Sequence, residues 1–274
     1  MKICAFLLSI AISFVYAEEK SLYQVASEGK DSVIVKSLLS GKNSTDIVSN
    51  TRTKKIVVDT KNDRIFWIEG SGKKVLKSAK NDGSEVTEII KLDNNARSLA
   101  FDGKHLYWVT DNNLQTVVVR SDLQGNNQET VISGKDITCI TIDIEKEKLF
   151  WVTDNGVSQR VRFSDLSGKI TTTILRKNSG PFSCLAIDGK NERIYWVKSV
   201  DGIETSICSS NFQGQGTQEI VKSSFITALT VTDTKVFWIG RNAGGSAVLC
   251  ANTDGTEIET IFVSDRTLND IVVK

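Results

Sequence analysis

Apolar residues along this chain come in short runs, and the runs fall on a ruler. Five of them hold an aromatic pair followed by Val or Ile: Phe66-Trp67-Ile68, Tyr107-Trp108-Val109, Phe150-Trp151-Val152, Tyr195-Trp196-Val197 and Phe237-Trp238-Ile239. The tryptophans stand 41, 43, 45 and 42 residues apart. Ahead of each lies a second apolar run, ending at Asp59, Asp102, Asp143, Asp188 or Thr232. Between 16 and 18 residues behind each comes a turn dipeptide: Asp82-Gly83, Gln124-Gly125, Ser167-Gly168, Gln213-Gly214 or Asp254-Gly255. Glycine there supplies the positive φ of a tight hairpin, and one more short apolar run follows. Each unit therefore reads as four strands, A to D, rich in Val, Ile, Thr and aromatics and bounded by Gly, Asn, Asp and Ser. Helical periodicity of useful length is absent after the first residues. Four-stranded units at this period predict a β-propeller.

A sixth unit is split between the two ends of the sequence. Leu22-Tyr23-Gln24-Val25 carries the motif with Gln24 in the tryptophan position, 43 residues before Trp67, and Gly41 follows at 17. This unit has strands B, C and D but no A. The missing strand is Ile271-Val272-Val273, within 270–273 near the C-terminus. Five periods from Gln24 to Trp238 cover 214 residues, so six need about 257, the length from Glu18 to Lys274. The expected fold is all-β: one six-bladed propeller over 18–274, closed by pairing of the C-terminal strand with the strands that begin at residue 22. Residues 1–17 read as a signal peptide. Lys2 gives a positive start, Ile3–Val15 an apolar stretch, and Val15-Tyr16-Ala17 a cleavage site. That run is shorter than the ~20 residues of a membrane span, so an exported, soluble protein without membrane insertion is expected.

Composition narrows the chemistry. Beyond the leader, 33 basic and 33 acidic residues balance, which argues against nucleic-acid binding. Four cysteines remain, and an even number in an exported chain favours disulfides. The repeat positions suggest Cys139–Cys184 and Cys208–Cys250. Asn43-Ser44-Thr45 is a glycosylation acceptor sequence on a C–D turn. The one histidine, His105, lies in an A–B turn, which speaks against His-based triads and multi-His metal sites. No phosphate-binding loop and no nucleophile-elbow motif is present, and no cofactor is expected. Asp59, Asp102, Asp143 and Asp188 end strands at turns, where such side chains bond local backbone. The tryptophans are expected to pack the blades rather than to bind a ligand.

The unit Leu99-Ala100-Phe101-Asp102, Leu106-Tyr107-Trp108-Val109-Thr110-Asp111, Arg120-Ser121-Asp122-Leu123-Gln124-Gly125, Glu129-Thr130-Val131-Ile132 resembles the YWTD repeat of the low-density-lipoprotein-receptor class. The resemblance implies a six-bladed propeller. It is imperfect: Val or Ile follows the tryptophan position in every unit, and Thr-Asp survives only at Thr110-Asp111 and Thr153-Asp154. A free-standing propeller with a leader is also similar to the ommochrome-binding carriers of insect haemolymph. That similarity implies a monomeric carrier of a small aromatic, acidic pigment derived from tryptophan.

In a propeller the D–A and B–C loops share one face around the axial mouth. The D–A loops carry Arg52, Lys54, Lys55, Arg97, Phe182, Phe225 and Arg266; the B–C loops carry Glu69, Asp111, Asp154, Lys198 and Arg241. Arginine can pair a carboxylate or stack on a ring, and phenylalanine supplies apolar contact. Of these, Arg52, Lys54, Arg97, Phe182, Phe225, Arg241 and Arg266 are the candidate ligand residues. Lack of catalytic groups and of receptor-type modules favours a small-molecule carrier. A protein partner on the same face is the alternative, and a hydrolase or lactonase the third reading.

Overall fold

The computed structural model describes residues 20–93, 95–177, 182–199, 204–242 and 245–274. The expected signal peptide, 1–17, lies outside them. Among these residues twenty-four strands form six four-stranded antiparallel sheets, the blades of a propeller. Blade 2 is β4 (Ile56–Asp59), β5 (Arg64–Glu69), β6 (Lys74–Lys80) and β7 (Thr87–Leu92). Blade 3 is β8 (Arg97–Phe101), β9 (His105–Asn112), β10 (Gln115–Asp122) and β11 (Glu129–Gly134). Blade 4 is β12 (Ile137–Asp143), β13 (Lys148–Asp154), β14 (Gln159–Asp165) and β15 (Thr172–Lys177). Blade 5 is β16 (Phe182–Asp188), β17 (Arg193–Ser199), β18 (Glu204–Asn211) and β19 (Gln218–Ser224). Blade 6 is β20 (Ala228–Val231), β21 (Lys235–Asn242), β22 (Gly245–Asn252) and β23 (Glu259–Ser264). In blade 1, β24 (Leu268–Val273) pairs with β1 (Ser21–Glu28), followed by β2 (Asp31–Leu38) and β3 (Thr45–Thr51). Two backbone hydrogen bonds between Ser21 and Lys274, of 2.8 and 3.0 Å, finish that closure.

The aromatic pair works because successive strand residues point to opposite faces, and each blade is packed on both faces. Trp67 is buried against blade 1, beside Tyr23, Val25 and Ile34, while Phe66 faces blade 3, beside Leu99 and Trp108. The pattern repeats, giving six apolar clusters, one per blade interface. All five tryptophans are at most 4% exposed. A large side chain buried this way contributes about 1.5–3 kcal/mol. Gln24 is equally buried and keeps the tryptophan register, pairing with Ile271 as Trp67 pairs with Ile56. Its amide nitrogen reaches Ser37 Oγ at 3.4 Å.

Every blade also has a β-bulge that the hydrophobic pattern does not reveal. Between strands C and D the register skips one residue on strand D. The skipped residues are Ile47, Ile89, Val131, Ile174, Ile220 and Ile261. A bulge leaves its extra residue out of the ladder and bends the strand. The C–D turn glycine of the next blade packs there. A Cβ on Gly83 would stand 1.8 Å from the Ile47 carbonyl oxygen, one on Gly168 1.9 Å from Val131 O, and one on Gly255 1.9 Å from Ile220 O. These glycines therefore meet two demands, a φ between +75° and +88° and a close backbone approach across the interface.

Candidate functional site

The aspartates that end strand A serve as turn caps. Asp59 Oδ1 accepts from the amides of Lys61 and Asn62, and Asp143 Oδ1 from those of Glu145 and Lys146. Asp102 Oδ1 accepts from His105 N and Oδ2 from the Tyr107 hydroxyl, with His105 Nδ1 3.0 Å from Oδ2. Burial pushes the Asp102 carboxyl up, and the donations from His105, Tyr107 and Lys104 outweigh it, leaving the carboxyl below its usual range. His105 thus opens β9 directly after an A–B turn, on the face away from the D–A and B–C loops. Exposed Asn43 is on that far face too, in the C–D turn after β2.

On the mouth face, loops of blades 1, 2 and 3 enclose a cavity of about 680 Å³. Arg52, Lys54 and Lys55 reach it from the β3–β4 loop, Arg97 from the start of β8, Lys30 from the β1–β2 turn, and Lys74 from β6. Ile68, Ala96 and Leu99 supply apolar wall. Arg52 Nε donates to Asp31 Oδ1 at 2.8 Å, and that bond holds its guanidinium above the ordinary value. Arg97 is braced by Asp111 Oδ1 at 3.0 Å and by the carbonyls of Asn95 and Ile137. Lys74 Nζ donates to Ala96 O at 2.6 Å. Burial, then the neighbouring charges of Arg97 and Lys54, push the Lys74 ammonium down, the mark of a basin short of anions. Lys54 has no ion pair or side-chain hydrogen bond among the described residues. Nearby, Glu69 takes Thr51 Oγ1 at 2.8 Å, Trp67 Nε1 at 3.0 Å and Lys77 Nζ at 2.8 Å.

Beneath the basin one equivalent repeat position, on strand A or directly before it, lines the axis: Lys55, Ser98, Cys139, Cys184, Ala228 and Asp270, four residues before Asp59, Asp102, Asp143, Asp188, Thr232 and Lys274. Lys55 is surrounded by protein on all sides yet keeps solvent contact, as a side chain hanging in a wet channel does. The charge of Asp270 raises its ammonium, while burial pushes the Asp270 carboxyl up. Asp270 Oδ2 accepts from Ile56 N at 3.0 Å, tying β24 to β4.

Three of the seven sequence-derived ligand residues, Arg52, Lys54 and Arg97, therefore converge. The others do not join them. Arg241 lies over the Phe225 ring at 4.8 Å, so each covers the other. Arg266 makes a two-pronged pair with Asp46, at 2.8 and 3.0 Å, at the interface of blades 6 and 1. Phe182 begins β16, and its side chain lies outside the described part. Lys30 and Lys74 were missed by the sequence reading. The repeat phase could have found Lys30, which follows Gln24 by six residues in a B–C turn.

The placement of the four cysteines bears on the expected Cys139–Cys184 and Cys208–Cys250 pairings. Cys139 and Cys184 are equivalent by rotation, so their side chains follow head to tail around the ring. Cys139 packs toward blade 5, and Cys184 toward blade 6, where its thiol donates to Thr227 O at 3.3 Å. Cys208 pairs opposite Trp196, whereas Cys250 pairs opposite Phe237. That one-residue slip puts them on opposite sheet faces: Cys208 lies between blades 4 and 5, Cys250 between blades 6 and 1.

No protein-family model matches the chain. No curated protein matches it by sequence. Its fold has many solved counterparts. A chain from a nidogen/laminin complex is similar with a TM-score of 0.75 and 15% identity, covering 93% of this chain and 97% of that one. TolB from Acinetobacter baumannii is similar with a TM-score of 0.72 and 12% identity, covering 92% and 67%. A prolyl endopeptidase is similar at 0.59 and 12% identity, with 90% of this chain matched to 43% of that one. At such identities the likeness is one of fold, and the chain itself is a six-bladed β-propeller.

Proposed function

We propose that this propeller is a binding module that holds an acidic partner protein on its mouth face. One observation carries the reading: Lys30, Arg52, Lys54, Lys74 and Arg97 share one basin in which Asp31 is the acidic member of the lining. The similar chain of TM-score 0.75 comes from a nidogen/laminin complex, which supports the same use of the fold. The single histidine is tied to Asp102 on the opposite face, which favours binding over catalysis. The test is fluorescence anisotropy with a Glu-rich peptide. Affinity is expected to fall with rising ionic strength and to weaken several-fold in Lys54→Ala, with Arg241→Ala unchanged. Absence of saturable binding, or indifference to Lys54, removes the reading.

A second reading rests on size. A cavity of about 680 Å³ with Ile68 and Leu99 in its wall is in the usual range for small ligands, so the basin also suits a flat acidic pigment such as an ommochrome. Saturable quenching of tryptophan fluorescence by an ommochrome, lost in Lys54→Ala, would support it. Secretion belongs to the proposal too. Protein collected from the medium of expressing cells should begin at Glu18, and a glycan on Asn43 should be removable by an N-glycanase.

A further inference from the structure

The repeat provides an internal comparison at the position facing each tryptophan. In blade 2 that position is Lys77, across β5–β6 from Trp67. Its charge is matched by Glu69, whose carboxylate also receives the Trp67 indole N–H. Blade 3 avoids the problem with an apolar residue, Val119 opposite Trp108. Blade 4 does neither. Arg162 faces Trp151, and the residue in the Glu69 position is Thr153. Arg160 stands two residues away on the same sheet face, and Arg176 is its partner across β14–β15.

No carboxylate answers these cations. Arg160, Arg162 and Arg176 make no salt bridge or side-chain hydrogen bond among the described residues. Arg160 Nε and Arg162 Nε are sealed from solvent without a partner. A buried donor left without a partner is costly, more so when charged, so something should bond to it. Burial first, then Arg160 and Arg176, push the Arg162 guanidinium below its ordinary value. Both arginines line a cavity of about 340 Å³ between blades 3 and 4, walled by Trp151, Ser133, Thr153 and Ser158. Lys135 and Asp136 complete its charges, leaving an excess of two positive charges. The Trp151 indole N–H, bonded to Glu69 in its blade 2 counterpart, has no partner here among the described residues.

We infer that the groove between blades 3 and 4 is a binding site for a small organic acid. Its carboxylate takes the place that the Glu69 side chain holds in blade 2, between Arg162, Arg160 and the Trp151 N–H. The volume, about 340 Å³ between two packed sheets, suits a small molecule and not a protein segment. Planar guanidinium groups match a carboxylate with paired hydrogen bonds. The site is distinct from the mouth basin and stands whether or not that basin binds a partner.

The test is calorimetric and tryptophan-fluorescence titration of the whole chain with succinate and with benzoate, sulfate serving as control at matched ionic strength. One carboxylate should bind per chain. Arg162→Leu should weaken it by about 10-fold or more, while Lys54→Ala in the mouth basin leaves it unchanged. Thr153→Glu, which installs the blade 2 carboxylate, should abolish binding and raise the Tm of the ligand-free protein by about 2–6 °C. Four outcomes overturn the assignment: neither acid binding saturably, loss of binding in Lys54→Ala but not Arg162→Leu, sulfate binding as tightly as the carboxylates, or a lowered Tm in Thr153→Glu.

Discussion

Replacing Gly83 by alanine tests how the blades are locked together. Gly83 has φ +86°, and an added Cβ would lie 1.8 Å from the carbonyl oxygen of Ile47, the bulged residue of blade 1. Gly29 is the control. Its φ is +61°, and a Cβ there meets nothing within 4 Å. Both substitutions incur the left-handed penalty of about 1–2 kcal/mol. At Gly29 that is the whole effect. At Gly83 the approach is well inside van der Waals contact with backbone, so two sheets must separate or the turn must rebuild. Overpacking of that kind adds about 1–3 kcal/mol, for a total of about 2–5 kcal/mol. The assay is equilibrium urea unfolding followed by tryptophan emission, with thermal melts in parallel. At this chain length 1 kcal/mol moves Tm by about 2–4 °C. Gly83→Ala should thus melt about 4–20 °C below the wild type and Gly29→Ala about 2–8 °C below. Equal losses at the two sites would refute the inter-blade role and leave only the turn.

Glu69→Gln should cost about 2–3 kcal/mol by unpairing the part-buried Lys77. Burial raises the Glu69 carboxyl, but bonds from Lys77, Trp67 and Thr51 prevail and hold it below its ordinary value. Its stabilisation is therefore present above the unfolded value near ~4.3 and is lost as pH falls through the lower folded value; acid titrations of stability should converge for wild type and variant below that point. Gln24→Trp should stabilise by about 1–2 kcal/mol in urea, since a groove between blades 6 and 1 adjoins Gln24 where other blades bury an indole. Burial pushes the Cys139 thiol up to about 11, so iodoacetamide should label it far more slowly at pH 8 than in urea, the thiolate being the nucleophile. Arg266→Ala, removing a half-exposed pair with Asp46, should change stability by under about 1 kcal/mol in the same unfolding assay.

Fold was legible because a propeller repeats its packing problem. Trp67 and its four counterparts, the C–D glycines and the strand-A aspartates each solve the same local demand six or fewer times, and translation along the sequence exposes them. Gln24 was identifiable by phase alone. What translation conceals is rotation. Cys139 and Cys184 share a phase and therefore point the same way around the ring, not at each other. The bulges at Ile47, Ile89, Val131, Ile174, Ile220 and Ile261 were hidden because Ile and Val suit a regular strand equally well. The mouth loops were placed on the correct face, but side-chain partners there come from different blades. Arg241 with Phe225 and Arg266 with Asp46 are such pairings, and no repeat encodes them. Arg160 and Arg162 were legible in principle, by aligning the Lys77 and Glu69 columns with Arg162 and Thr153.

The pairing of β24 with β1 has a consequence for the order of events at the ribosome. Val25 meets Asp270 across that seam, so the contact spans 245 residues. Each of the other five blades is contiguous in sequence and can zip as soon as its own four strands have emerged. Blade 1 must wait, with Leu22, Val25 and Ala26 exposed on an open edge, until the last strand is made. At ~5–20 residues per second the 222 residues from β3 to the end of β24 take about 10–45 s to translate. During that interval the nascent chain presents one unsatisfied sheet edge, and closure ends its exposure in a single late step. Shielding of that edge during synthesis should then raise the yield of folded protein without changing the stability of the finished ring.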